Sequence, residues 1–140
     1  MTPRSALIDA YLDAVERFDA AAVRDCLHPD VTVLLHANAF APEGSTTRLD
    51  ALIAALEAGR GLLATQRFSD RVYSDLVDGT VLATMTWTGE TAIEMPGVAA
   101  GTVLKADIAS RLTFEGDRLL RQENWDCYYP PQPPDRAAKP

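Results

Sequence analysis

Apolar residues recur at helical spacing through the first third of the chain and then switch to alternation, a change of period that separates a helical layer from a sheet. Leu7, Tyr11, Val15 and Phe18 form one stripe on a first helix. Thr2 can cap it, and Pro3 suits its first turn, where a missing N–H costs nothing. Asp19 can cap a shorter second helix carrying Val23, Cys26 and Leu27. His28-Pro29 ends it, because the residue before a proline is pushed out of the helical region. Residues 31–36 are short and β-branched and read as a strand, whereas residues 37–45, with Pro42 and Gly44, read as a loop. Thr47-Arg48-Leu49-Asp50 then matches a capping box for a third helix, with Leu49, Leu52, Ile53 and Leu56 on one face and Gly59 and Gly61 as its stop.

Beyond Leu63 the alternating runs are punctuated by Asp78-Gly79, by residues 96–101 and by Glu115-Gly116-Asp117, which read as hairpin connections. Four strands are expected over residues 63–77, 80–93, 102–114 and 118–129, long enough that they must twist and bend. The pattern predicts an α+β fold in which a curved, mostly antiparallel sheet packs against three N-terminal helices to form a cone. Its mouth can admit a ligand. One domain over residues 1–129 is expected, followed by a Pro-rich tail, residues 130–140, that cannot pair as a strand and reads as extended and loose.

The 140 residues are enough to enclose both a core and a cavity, and the apolar runs fall far short of a membrane span. Thirteen basic against twenty acidic residues leave a net charge of −7, which disfavours nucleic acid as a partner. No charged segment followed by an apolar one opens the sequence, so a soluble, cytoplasmic protein is expected. The two cysteines are too few for a disulfide framework and sit in no metal-ligand cluster. Without such a cluster or a phosphate loop, no metal and no cofactor are expected.

Tyr11 is the most informative candidate, since a polar tip aimed into an apolar layer wants a partner or a ligand. On the third of the long strands, Leu104, Ala106, Ile108, Leu112 and Phe114 share one face, and Ser110 is the polar exception on it. Two hydroxyls converging in a dry cavity can hold a carbonyl or enolate oxygen. The last strand offers Gln122, Asn124, Asp126 and Tyr128 on one face and Arg121, Glu123, Trp125, Cys127 and Tyr129 on the other, and composition does not choose between them. Asp126 against an apolar wall would have its pKa raised toward general-base values. His36 is the other candidate base, pointed outward by alternation unless a bulge at the strand's end redirects it. Trp87 is a candidate platform for a ligand. Arg67, Ser69, Arg71 and Tyr73 alternate as an outer face, and Lys105 and Asp107 read as a solvated or subunit-facing pair.

This order of elements, with YLDAVERFD at residues 11–19, LHPDVTV at 27–33, LTFEGDRL at 112–119 and Trp125-Asp126 near the end, resembles the nuclear transport factor 2-like superfamily, and most closely its SnoaL-like branch. The resemblance covers nearly the whole chain and implies the cystatin-like α+β barrel of that superfamily. Its members include polyketide cyclases, ketosteroid isomerases, epoxide hydrolases, dehydratases and non-enzymatic binding or dimerisation modules, so fold does not imply function. By resemblance, Tyr11 falls on the oxyanion-hole tyrosine of ketosteroid isomerase and Ser110 on its second donor, a carboxylic acid. The isomerase base falls on Leu35, which cannot take a proton but would still border the substrate. Asn124 falls where epoxide hydrolases place a water-activating aspartate, and an amide orients water without deprotonating it.

Two functions follow as expectations. One is a cofactor-independent isomerase, cyclase or lyase acting on a small hydrophobic oxygen-bearing molecule, with Tyr11 and Ser110 on the oxygen, Asp126 or His36 moving the proton, and Asn124 orienting substrate or water. The other is a non-catalytic ligand-binding or dimerisation module. The resemblance further implies a homodimer formed through the outer sheet face.

Overall fold

The structure, a computed structural model, describes residues 3–134; Thr2 as a helix cap and residues 135–140 of the tail lie outside the described residues. Helices α1 (Pro3–Glu16), α2 (Ala20–Cys26) and α3 (Leu49–Leu62) pack on one face of a six-stranded sheet formed by β1 (Leu27–Leu35), β2 (Ser45–Arg48), β3 (Leu63–Asp75), β4 (Val81–Thr91), β5 (Val103–Glu115) and β6 (Arg118–Tyr128). The strand order is β2-β1-β6-β5-β4-β3. All neighbours are antiparallel except β1 and β6, which run parallel. The expected cone of helices on a curved sheet is therefore present. Among the described residues no helix is long and apolar enough to cross a membrane.

The core runs between α1, α2 and the middle of the sheet, where Ile8, Val23, Leu27, Val31 and Val81 are almost wholly buried. On α1 the buried positions are Ile8, Tyr11, Leu12 and Ala14, so the buried stripe is rotated slightly from the expected one that begins at Leu7, with Tyr11 common to both. The helix ends where Phe18 adopts φ +54°, a left-handed backbone unusual for an aromatic residue. Burial of its ring offsets that strain. A Cβ on Gly59 would lie 3.3 Å from Phe18 Cε1, so Gly59 makes room for the ring rather than stopping α3, which continues to Leu62. Asp19 caps α2 as expected, accepting from Ala22 N at 3.1 Å.

Three further expectations about local structure are corrected. The capping box at Thr47 does not form: Ser45–Arg48 is an edge strand on β1, with Thr47 opposite Val33, and α3 begins after Arg48 without a side-chain cap. Ladder bonds outcompete the cap. Gly44 makes the turn into that strand possible, because a Cβ there would sit 2.4 Å from Leu35 O at φ +66°.

The alternation Arg67 to Tyr73 does not stay on the outer face. Ser69 pairs with Thr86 but Val72 pairs with Thr84, so one extra residue bulges out at Asp70, φ +54°. Phe68 before the bulge and Tyr73 after it both pack on the core, while Val72 is 59% exposed. Arg71 then reaches Asp9 at 3.1 Å, Asp13 at 2.9 Å and Glu16 at 3.3 Å, tying β3 to α1. Finally, the tail does pair: Val103 and Gln132 exchange two backbone hydrogen bonds of 2.9 Å.

Candidate functional site

Between α1, α3 and the concave face of the sheet lies a cavity of about 230 Å³. Leu12, Val15, Leu52, Phe68, Met85 and Ile108 supply much of its apolar wall, and Tyr11, Ser110, Gln122, Asn124 and Asp126 form a polar strip along one side. A larger depression of about 610 Å³ between β3 and β4, bordered by Glu16, Arg67 and Glu90, is an open surface groove. The cavity beneath the helices, with its apolar wall and polar strip, is the one suited to holding a small molecule.

The polar strip follows from strand pairing. Leu112 faces Gln122, Ser110 faces Asn124 and Ile108 faces Asp126 across the β5–β6 ladder, so β6 turns Gln122, Asn124, Asp126 and Tyr128 inward. Glu123, Trp125 and Cys127 take the other face. The helix layer settles the parity that composition left open.

Tyr11, only 8% exposed, donates its hydroxyl proton to Gln122 Oε1 at 2.8 Å. Gln122 Nε2 donates to Asn124 Oδ1 at 3.0 Å, and Ser110 Oγ donates to the same oxygen at 2.5 Å. In this structure the Tyr11 and Ser110 hydroxyls, expected to converge on a ligand oxygen, point their protons at protein acceptors. Both line the cavity, and each proton is given to an amide oxygen of β6. Burial holds the Tyr11 phenol far above its ordinary range, with the Cys26 thiol adding to the effect.

Asp126 stands apart from this chain. Among the described residues its Oδ1 is buried with no hydrogen-bond partner. Loss of solvation raises its pKa, favouring the protonated acid. Its neighbour Tyr128 is pushed up to about 12, first by burial and then by the Asp126 charge. Trp87 completes this end of the cavity, its indole N–H held by Gln66 Oε1 at 3.0 Å and its ring edge-on to Tyr128 at 6.3 Å. Phe40, from the loop after β1, packs edge-on to Tyr128 at 4.6 Å while remaining 50% exposed. Sequence reasoning missed it. A lone aromatic in a Pro- and Gly-bounded loop beside a predicted mouth was its only signal.

His36 is corrected as a candidate base. Alternation prevails over any bulge: the ring stacks on Trp125 on the outer face, with centroids 4.6 Å apart, and Nε2 lies 2.7 Å from Glu123 Oε2. Leu35 is likewise not among the residues lining the cavity. Val33, one pleat earlier, takes that place, since Leu35 lies at the strand end against Ser45 and Gly44. Among the described residues no three His, Cys, Asp or Glu side chains gather where they could hold a metal ion.

A cone of helices on a sheet with a polar-edged cavity defines a class of small pocket proteins, and residues 8–122 match the family model of the SnoaL-like domain. The chain belongs to the SnoaL-like family. No curated protein matches it. Among solved structures, it is similar to a proposed polyketide cyclase from Pseudomonas putida KT2440, with TM-score 0.69, 22% identity and coverage of 89% of this chain and 91% of that one. It is also similar to IdmH, a proposed polyketide cyclase from Streptomyces antibioticus, with TM-score 0.73, 16% identity and coverage of 90% and 92%. A nuclear transport factor 2-like protein of unknown function from Burkholderia pseudomallei K96243 gives TM-score 0.69 at 17% identity, covering 90% and 92%. At these identities the likeness shows the shared fold.

Proposed function

We propose that the protein binds a small, uncharged, oxygen-bearing hydrophobic molecule in the cavity and moves a proton on it, with Asp126 as the group that takes and returns the proton. The observation that carries this reading is the buried, unpartnered Asp126 Oδ1. A native fold leaves a buried carboxylate oxygen without a donor at a cost, and such exceptions concentrate where a ligand or reaction uses them. No lysine, arginine or histidine lines the cavity among the described residues, so a carboxylate or phosphate substrate would meet no counter-charge. The volume lies below the ~300–1,000 Å³ usual for drug-sized ligands, which favours a molecule of one or two rings. Isomerisation, cyclisation or dehydration all fit, and none requires a cofactor beyond the proton shuttle.

The test is exchange of α-hydrogens for deuterium in a panel of cyclic and aryl ketones. Asp126→Asn should slow exchange at least ~10²-fold, the scale of one general base. Equal rates would overturn the assignment. A second reading, a non-catalytic binding module, is favoured by the chain Tyr11–Gln122–Asn124–Ser110, which commits both hydroxyl protons to amide oxygens, and it predicts ketone binding without exchange in the native protein.

The same proposal extends to assembly and location. Trp125, 39% exposed, and Cys127 stand on an open outer sheet face that suits a homodimer contact. The exposed free thiol of Cys127 fits a reducing cytoplasm.

A further inference from the structure

The hydrogen-bond chain has a direction, and the direction decides which group is left for the ligand. The Tyr11 hydroxyl is buried and, among the described residues, Gln122 is its one hydrogen-bond partner, so its proton goes there. An amide presents one acceptor and one donor end, and a neighbour that donates must meet the oxygen. Gln122 therefore turns Oε1 to Tyr11 and Nε2 onward to Asn124, which must turn Oδ1 back. Ser110 donates to the same Oδ1 from the opposing strand. Three donors have thus locked two amides, and Asn124 Nδ2 is the end left over. Asn124 lines the cavity and is half-buried, whereas Gln122 is packed beneath it at 8% exposure.

The geometry points to Asn124 Nδ2 as the donor that binds the substrate oxygen, with Tyr11, Gln122 and Ser110 as positioning residues that aim it. The inference rests on reading this cavity as a substrate site and assigns the substrate class more closely: the oxygen nearest Asn124 is an acceptor, as in a ketone or its enolate. Asn124 and Asp126 are two residues apart on one face of β6, so their side chains start about 6.5–7 Å apart. That interval holds one carbonyl and the carbon beside it. In the step this permits, Asp126 takes the proton of the C–H bond, and that electron pair becomes the C=C of an enolate. The carbonyl π electrons move to the oxygen, held by Asn124 N–H, and the Asp126 carboxylic acid then returns the proton to carbon. No oxidant, reductant or second reactant is needed.

The experiment uses the full chain and a panel of small ketones labelled with ¹³C at the carbonyl, acetophenone and 2-cyclohexenone among them. Two readouts are taken: the carbonyl ¹³C shift on binding, which reports hydrogen bonding to oxygen, and deuterium exchange at the α-carbon, which reports proton transfer. Asn124→Asp is the informative variant. It keeps Oδ1 for Ser110 and Gln122 and the side-chain size while replacing the N–H donors with a carboxylate oxygen, and the charge this adds beside Asp126 is controlled by Asn124→Ser, which is neutral. Thermal unfolding monitored alongside shows that it folds, and Asn124→Ser is the second variant should it not. The downfield carbonyl shift of the native protein should vanish in Asn124→Asp, and binding should weaken at least ~10-fold. Tyr11→Phe should retain a downfield shift, with binding weakened by less than ~10-fold.

A shift retained in Asn124→Asp would overturn the inference, and its loss in Tyr11→Phe as well would make the tyrosine the donor. No downfield shift for any ketone in the native protein would overturn it as well. A shift without exchange would uphold Asn124 while sinking proton transfer by Asp126. Exchange without a shift would do the reverse.

Discussion

Asn124 and Asp126 sit two residues apart on the same face of β6, in the same cavity, yet the amide oxygen of one is held in a hydrogen-bond chain and, among the described residues, an oxygen of the other has no partner. The chain from Tyr11 through Gln122 to Asn124 and Ser110 meets both of its amide oxygens with donors from α1, β5 or β6, which rigidifies the floor of the cavity. Asp126, opposite the apolar Ile108 on β5, gets none. The contrast teaches where this fold invests stability and where it withholds it. A satisfied network fixes geometry, and an unsatisfied carboxylate beside it retains chemical potential for a ligand.

Breaking the closed chain should have the largest effect on stability. Gln122→Leu leaves the Tyr11 hydroxyl buried without an acceptor and should destabilise the protein by about 1–3 kcal/mol, measured by chemical denaturation. Tyr11→Phe/Gln122→Leu together should cost less than the sum of the two single changes, because the orphaned hydroxyl is gone. Additive costs would show that the pair is not coupled.

Asp126 should respond in the opposite sense. Its pKa is raised by burial, so the native state holds the proton more tightly than the unfolded chain does. Its stabilising contribution is complete below the unfolded carboxylate value and is lost as pH rises through the raised folded value. Asp126→Asn, neutral throughout, should therefore unfold at a higher temperature than the native protein near pH 7, and the gap should close as pH falls toward 3. A gap that widens on acidification would mean that the carboxylate is ionised and paired in the fold.

The smallest effect is expected on the outer face. His36→Ala removes a half-exposed ring from Trp125 and a contact to Glu123, and should change stability by no more than about 1 kcal/mol while leaving ketone exchange intact. A large loss of exchange would return His36 to the site.

The elements themselves were legible because their periods are strong. Leu104, Ala106, Ile108, Ser110 and Leu112 alternate without a break, and β5 runs as that alternation requires. Where local rules compete, the reading failed for identifiable reasons. A capping signature at Thr47 lost to pairing with β1, and Gly59 serves Phe18 from another element. At Asp70 one extra residue reversed the parity of β3, which a strict period of two cannot register. The lining of the candidate site was legible in part. Tyr11, Ser110, Asn124, Asp126 and Trp87 were all named as candidates and all line one cavity, whereas Leu35 and His36 do not.

The sequence by itself determined the layer order, the curvature that long strands impose, and which polar side chains stood at otherwise apolar positions. These follow from spacing and local chemistry. Only the tertiary structure decided which face of β6 meets the helices, which amide accepts the Tyr11 proton, and which carboxylate oxygen is left without one. Burial and hydrogen-bond direction depend on what lies opposite, and what lies opposite Tyr11 is 111 residues away along the chain.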